Sequence, residues 1–217
     1  MSDEKTKAGK ALLTNAYDLN SPQSHLEYYR QVAEAYDADF GGGMGYHSPT
    51  ALAALFHRHR GEAGQRVLDV GCGTGLVAEA FKLPAQEIDG VDISPEMLAV
   101  AKAKGLYANL FEVDLTADIS AICNGYGSVV SAGTFTHGHL GPGVLEQLVQ
   151  AGTIGAQFLI GVNCHHYEEM GFRATVDAMV RTGKIELIDQ PAIQMYQNAT
   201  HEHADAQALV LIFKRLT

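Results

Sequence analysis

Residues 66–75 read Arg66-Val67-Leu68-Asp69-Val70-Gly71-Cys72-Gly73-Thr74-Gly75, and this stretch decides the fold. Val67 to Val70 are apolar except for Asp69 and read as a buried strand. Glycines at alternate positions follow, and Leu76-Val77-Ala78-Glu79-Ala80-Phe81 then reads as the start of a helix. A strand, a glycine turn and a helix in that order set backbone N–H groups and a positive helix end around one point. Glycine suits such a turn because it tolerates positive φ and lets a ligand lie on the main chain. The expected occupant carries a negative group and an adenosine-like body.

A dinucleotide is the first candidate. Gly73-Thr74-Gly75-Leu76-Val77-Ala78 satisfies the G-x-G-x-x-G/A pattern, and Asp92 lies near the usual offset of about 20 residues. Asp69 argues against it, because a carboxylate just ahead of the first glycine would repel a pyrophosphate. The same carboxylate would attract a cationic head. S-adenosyl-L-methionine has one, an ammonium beside a sulfonium, and its carboxylate would be left for the loop N–H groups.

Val67 to Gly75 resembles the first motif of Rossmann-like S-adenosylmethionine-dependent methyltransferases. Gly90-Val91-Asp92-Ile93-Ser94 resembles the end of their second strand, and Phe111-Glu112-Val113-Asp114-Leu115 the end of their third. The resemblance covers most of residues 25–217. It implies that Gly71, Gly73 and Gly75 hold the methionine part, with Asp69 near its ammonium and Cys72 as a small filler in the loop. Asp92 would accept the ribose hydroxyls, with Ile93 against adenine and Met97 in the same cofactor set. Asp114 would accept from the adenine amino group, Leu115 would offer a backbone N–H, and Gly133 and Thr134 would border the sulfonium. The product would be S-adenosyl-L-homocysteine.

Composition narrows the class. A chain of 217 residues with 47% hydrophobic content fits a single domain, 1–217, with a substantial core. The formal net charge of −10 and the lack of a dense basic run speak against nucleic-acid or membrane partners. Cys72, Cys123 and Cys164 show no C-x-x-C spacing, so a reducing, cytoplasmic setting is expected and no disulfide framework. There is no apolar leader and no run of 18 apolar residues.

Residues 1–12 lack periodicity and are expected to form a frayed tail. Ser21-Pro22 opens a helix carrying Leu26, Tyr29, Ala33 and Tyr36 on one face; with the stretch to about residue 60 it is expected to form a helical lid. Gly41-Gly42-Gly43-Met44-Gly45 reads as a flexible hinge, and Ser48-Pro49 opens a second helix with Leu52, Leu55, Phe56 and His59 buried. Strands are expected at 87–92, 107–113, 127–132 and 157–163, with helices between them and a long helix over 166–181. Lys184–Met195 and Ala208–Phe213 resemble the closing antiparallel pair. The fold class is α/β: a doubly wound, seven-stranded, mostly parallel sheet with an antiparallel final strand.

Methyl transfer is an in-line displacement, so the protein mainly aligns and desolvates, and only a protonated acceptor needs a base. Thr136-His137-Gly138-His139 follows the fourth strand, where the family places residues facing the transferred methyl. His137 is the candidate catalytic base or acceptor contact, since histidine titrates near neutrality. His139, His165 and Tyr46 are candidate substrate contacts. Tyr29 and Tyr36 either close over the cofactor or pack the lid helix. His165 and His166 lack the spacing and carboxylates of a metal centre, so no metal is expected. His201 and His203 are expected to be solvated.

Ala132-Gly133-Thr134 lacks the Asn/Asp-Pro-Pro-Tyr/Phe signature of enzymes that methylate amino-adenine or glutamine side chains. The segment Gly133 to His139 is most similar to the Williams–Beuren syndrome region methyltransferase-like family. The resulting expectation is transfer of a methyl group to a small-molecule acceptor by a monomer or homodimer. Two alternatives stand beside it: an NAD-dependent oxidoreductase, and a catalytically silent methyltransferase-fold binding protein.

Overall fold

Near-continuous runs such as Phe158-Leu159-Ile160-Gly161-Val162 can be buried only in a strand covered on both faces, and the architecture follows from that. The computed structural model describes residues 22–33, 35–37, 44–59, 66–117, 119, 122, 124–136 and 139–217. The tail 1–12, Ser21, Gly41–Gly43 of the expected hinge, Cys123 and His137 lie outside the described residues, as does the side chain of Leu26; the end of that hinge is packed instead of flexible, with Met44 buried and the Gly45 carbonyl accepting from the Gln197 N–H at 2.8 Å.

The helices are α1 (Pro22–Val32), α2 (Ser48–His59), α3 (Leu76–Phe81), α4 (Pro95–Lys104), α5 (Pro142–Leu148), α6 (Cys164–Glu169) and α7 (Phe172–Arg181). The strands are β1 (Val67–Val70), β2 (Ile88–Asp92), β3 (Asn109–Glu112), β4 (Tyr126–Phe135), β5 (Gly152–Asn163), β6 (Ile185–Asp189), β7 (Ala192–Gln194) and β8 (Gln207–Arg215). They form one sheet in the order β3-β2-β1-β4-β5-β8-β6, with β7 also on β8. Pairing is parallel from β3 to β5, and β8 runs antiparallel to β5, β6 and β7. The order reverses beside β1, which opens a crevice at its carboxyl end.

Alternation along the strands sorts the core into two layers. Leu68, Val70, Phe158, Ile160, Leu211 and Phe213 face one way and pack with Leu145, Leu148, Val176 and Met179 of α5 and α7. Val67, Val130, Leu159, Val210 and Ile212 face the other way and meet Leu52, Leu55 and Phe56 of α2 with Val77 and Phe81 of α3. Helix α2 is therefore a covering layer of the sheet, while α1 reaches His139, beyond the end of β4, through Tyr29. His59 is half-buried on α2, while Leu52, Leu55 and Phe56 are buried.

Several boundaries differ from the sequence expectation. The long helix is two helices, because Gly171 at φ 75 turns the chain between α6 and α7. The sheet has eight strands, because Gln190-Pro191 separates β6 from β7, and proline has no N–H for a ladder. Strand β4 continues through Gly133 and Thr134 to Phe135. Ser94 caps α4 as read, accepting from the Met97 N–H at 3.2 Å.

Candidate active site

Two buried aspartates on adjacent strands separate structure from site. Asp89 on β2 is fully answered: Tyr126 donates to it at 2.9 Å, Asn109 donates at 2.9 Å, and Arg66 pairs with it. Asp69 on β1 is 1% exposed. Its Oδ2 accepts from the Tyr107 hydroxyl at 2.7 Å, and its Oδ1 has no hydrogen-bond partner among the described residues. Burial pushes the Asp69 carboxyl up to about 7; the Tyr107 hydrogen bond holds it down and nearby Asp92 adds to the rise. A buried carboxylate with an open oxygen is a place for a cation or a donor.

The glycine loop wraps the end of β1. Gly71, Gly73 and Gly75 have φ of 65°, 52° and 95°, the left-handed region. A Cβ on Gly71 would overlap the Thr134 side chain, while one on Gly73 would meet nothing within 4 Å. The loop therefore packs tightly below and is open above, as a ligand lying on the main chain requires. Four of its N–H groups are taken by the protein itself, contrary to expectation. Gly71 and Cys72 donate to the Val91 carbonyl, Gly75 donates to that of Cys72, and Gly73 donates to Asp92 Oδ2 at 2.8 Å. A buried N–H must find an acceptor, and here the protein supplies it.

Asp92 is thus a stitch between β2 and the loop. Its other oxygen accepts from the Ser94 N–H at 2.9 Å. Burial raises its carboxyl, and the Ser94 and Gly73 N–H groups pull it back. Asp114 also holds its own turn, with Oδ1 accepting from the Thr116 N–H at 2.8 Å and the Thr116 hydroxyl at 2.6 Å. Leu115 and Met97 are buried, and Ile93 is half-buried. Thr134 donates to the Val70 carbonyl at 3.1 Å. Burial, with Asp92 and Asp69 nearby, pushes the Cys72 thiol well up, which leaves it a filler and not a nucleophile.

Aromatic residues gather over the crevice. The rings of Tyr29 and Tyr36 meet edge to face at 6.0 Å, and Tyr29 meets His139 at 6.1 Å. Tyr46 sits so close to Gly133 that a Cβ there would overlap its hydroxyl, and its ring lies 5.8 Å from that of Tyr196. The residues after α1 are tied down by Asp37, which accepts from the Thr74 hydroxyl at 2.5 Å and pairs with Lys104 at 2.5 Å.

Other histidines stand elsewhere. The His165 side chain is 80% exposed and pairs with Glu169 on its own helix. His166 is buried, its Nε2 at 2.9 Å from the Leu140 carbonyl, and Tyr167 is core. His201 is half-buried, edge-on to Tyr196 at 4.6 Å, where solvation was expected.

The match to known proteins falls on this frame. Residues 67–152 match the family described as "Methyltransferase domain". That match lies on the strand–turn–helix frame built from β1 to the start of β5. The cofactor of such domains is S-adenosyl-L-methionine, and the open Asp69 oxygen and the clear space above Gly73 fit its ammonium and its close approach. The match weighs against the dinucleotide alternative. The domain is 32% identical over 113 residues to a ubiquinone biosynthesis O-methyltransferase of Xanthomonas euvesicatoria pv. vesicatoria, covering 50% of this chain and 47% of that protein. It is 36% identical over 91 residues to a dTDP-3-amino-3,6-dideoxy-alpha-D-glucopyranose N,N-dimethyltransferase of Streptomyces fradiae, covering 41% and 35%. The chain spans about half the length or less of these curated relatives. A TehB-like SAM-dependent methyltransferase structure from Corynebacterium glutamicum superposes with a TM-score of 0.58 at 21% identity, over 89% of this chain and 99% of that one. No helix among the described residues is long and apolar enough to cross a membrane.

Tyr107 and Asp37, which hold Asp69 and Thr74, are the contacts that sequence reasoning missed. Neither belongs to a motif.

Proposed function

We propose that the methyltransferase domain moves a methyl group from S-adenosyl-L-methionine to a small-molecule acceptor. The single observation that carries this reading is the buried Asp69 with one oxygen unanswered beside an open glycine turn. When bound, the cofactor supplies an activated methyl group on a sulfonium. Asp69 Oδ1 receives the ammonium, and the lone pairs that Asp92 keeps beyond its two N–H bonds receive ribose hydroxyls. Asp114, Ile93, Met97 and Leu115 form the adenine end, while Gly133 and Thr134 flank the reacting carbon. Tyr29 and Tyr36 exclude water from above, which favours transfer to the acceptor over hydrolysis. His137 takes a proton where the acceptor has one to lose.

Small acceptors are supported by the two relatives, one named for ubiquinone biosynthesis and one for an amino sugar nucleotide. The segment Gly133 to His139 supports the Williams–Beuren region-like type. Net charge and cysteine usage support a cytoplasmic monomer or homodimer that acts on neither nucleic acid nor membrane. Calorimetric titration with S-adenosylhomocysteine and with NADH tests the reading. The homocysteine derivative binds and NADH does not; the reverse result overturns the assignment.

A further inference from the structure

Tyrosines from separate parts of the chain meet beside the carboxyl end of β4. Tyr28 and Tyr29 stand on α1, Tyr36 follows that helix, Tyr46 precedes α2, and Tyr196 lies in the turn between β7 and β8. Tyr36 and Tyr46 pack against Met44, Met195 and Tyr196. Burial, then the nearby hydroxyls of Tyr29, Tyr46, Tyr196 and Tyr28, pushes the Tyr36 hydroxyl well up, so these phenols share one neighbourhood.

The backbone holds two of the rings in fixed register. Tyr46 and Tyr196 form an antiparallel bridge, flanked by the His47 N–H on the Met195 carbonyl and the Gln197 N–H on the Gly45 carbonyl, both at 2.8 Å. Tyr196 is buried, while Tyr29, Tyr36 and Tyr46 are half-buried and keep part of their surface accessible. Gly133 has no side chain where the Tyr46 hydroxyl lies, so that oxygen sits directly against the β4 main chain.

Ring faces carry negative partial charge and phenol oxygens carry lone pairs, so clustered tyrosines favour a cation. The basic side chains that border this region are spent on carboxylates. Arg30 of α1 pairs with Glu96, and Lys104 of α4 pairs with Asp37 and Glu79, so neither is left to neutralise an anion. The formal net charge of −10 adds a long-range pull on cations.

We propose that the methyl acceptor is a primary or secondary amine, and that Tyr29, Tyr36, Tyr46 and Tyr196 hold its nitrogen as it becomes cationic. The proposal rests on the methyl-transfer reading, which puts the reacting carbon beside Gly133. The amine nitrogen gives its lone pair to the methyl carbon as the carbon–sulfur pair withdraws to sulfur, so the positive charge passes to nitrogen, and its surplus proton goes to water. Because that charge arrives during the step, the ring faces hold the transition state more tightly than the neutral amine. A hydroxyl acceptor, which ends uncharged, would gain little from them.

The test titrates the full chain, carrying carbon-13-labelled tyrosine rings, with choline, its uncharged carbon isostere neohexanol and the anion of tert-butylacetic acid, with and without S-adenosylhomocysteine. Choline stands in for a methylated ammonium, and the other two share the shape of its head. The expected result is a saturable shift of the Tyr29 and Tyr36 ring signals by choline, with affinity about tenfold above that of neohexanol. Tyr46→Leu should weaken choline about tenfold and leave neohexanol unchanged, while Tyr46→Phe, which keeps a ring face, should bind choline within about twofold of the parent. Tyr29→Leu, on α1 and away from the sheet, is the second variant and should also weaken choline. Absence of a choline shift at these rings overturns the proposal. So does neohexanol or the anion binding as tightly as choline, or equal choline affinity in the parent and both leucine variants. Failure of S-adenosylhomocysteine to bind, with choline still preferred, would instead remove the methyl-transfer reading and leave the cation site standing.

Discussion

The Tyr107 hydroxyl donates to Asp69 Oδ2 at 2.7 Å, from the approach to β3 to the middle of β1. Its ring packs against the glycine turn, 3.1 Å from where a Cβ on Gly75 would stand. One oxygen of the carboxylate is thereby anchored, and the other is buried without a hydrogen-bond partner among the described residues. Sequence motifs contain Asp69 but not the phenol that aims it.

Cofactor affinity should follow the ionisation of Asp69. Its carboxyl sits near 7, so binding of S-adenosylhomocysteine weakens as the pH falls below that value. Tyr107→Phe keeps the ring and removes a hydrogen bond to a charged group, worth about 1.5–3 kcal/mol. At about 1.4 kcal/mol per pH unit, the onset of binding moves up by roughly 1–2 pH units. Calorimetry from pH 6 to 9 measures it; superimposable pH profiles for parent and variant would show that the phenol does not tune the site.

Stability should respond in the opposite sense. The folded carboxyl is raised above its unfolded value of 3.8, so between 3.8 and about 7 the unfolded chain has lost a proton that the folded chain keeps. Stability therefore falls as pH rises through that window and stays lowered above it. Asp69→Asn removes the buried charge and should stabilise the ligand-free protein at pH 8 by about 2–4 kcal/mol. The gain should narrow at pH 5. Urea denaturation at the two pH values, beside the variant's lost cofactor binding, checks both signs.

Asp92→Ala should act on the fold as well as on the ligand. It strands the Gly73 and Ser94 N–H groups, which now bond at 2.8 and 2.9 Å. The expected loss is roughly 2–4 kcal/mol in the ligand-free protein. Affinity for S-adenosylhomocysteine falls as well. A variant as stable as the parent by urea denaturation would show that the loop holds itself.

Asp37→Ala should loosen the N-terminal helix without touching the sheet. Asp37 joins Thr74 of the glycine loop to Lys104 of α4, and Lys104 also reaches Glu79 at 3.0 Å. The Asp37 and Lys104 side chains are 31% and 17% exposed, so a contribution of about 1 kcal/mol is reasonable. Amide exchange in 27–32 should accelerate roughly fivefold, while exchange in β4 and β5 stays constant. The outer pair of Arg30 and Glu96 is more exposed, so its loss should matter less.

The doubly wound frame was legible because its information is local. Val67 to Gly75 is a strand and a turn in adjacent residues, and Ser94-Pro95 announces its helix by cap chemistry alone. The cofactor candidates followed the same logic, since each sits at a strand end that the pattern already marks. What stayed hidden depends on pairs far apart in sequence. Nothing near Tyr107 indicates that its hydroxyl meets Asp69, and nothing near Asp37 points to Thr74. Gly171 was passed over because a glycine inside an apolar rhythm does not reveal whether a helix tolerates it or turns there. Ser48 shows the converse: it opens α2 as read, yet its hydroxyl makes no hydrogen bond among the described residues.

The Asp37 tether has a consequence for how the molecule answers to salt. If Asp37 were to lift away from Thr74 it would also part from Lys104, a contact between charges partly bathed by solvent. Ionic strength would then loosen the N-terminal helix on the glycine loop, while the buried Asp69–Tyr107 hydrogen bond would stay indifferent to it.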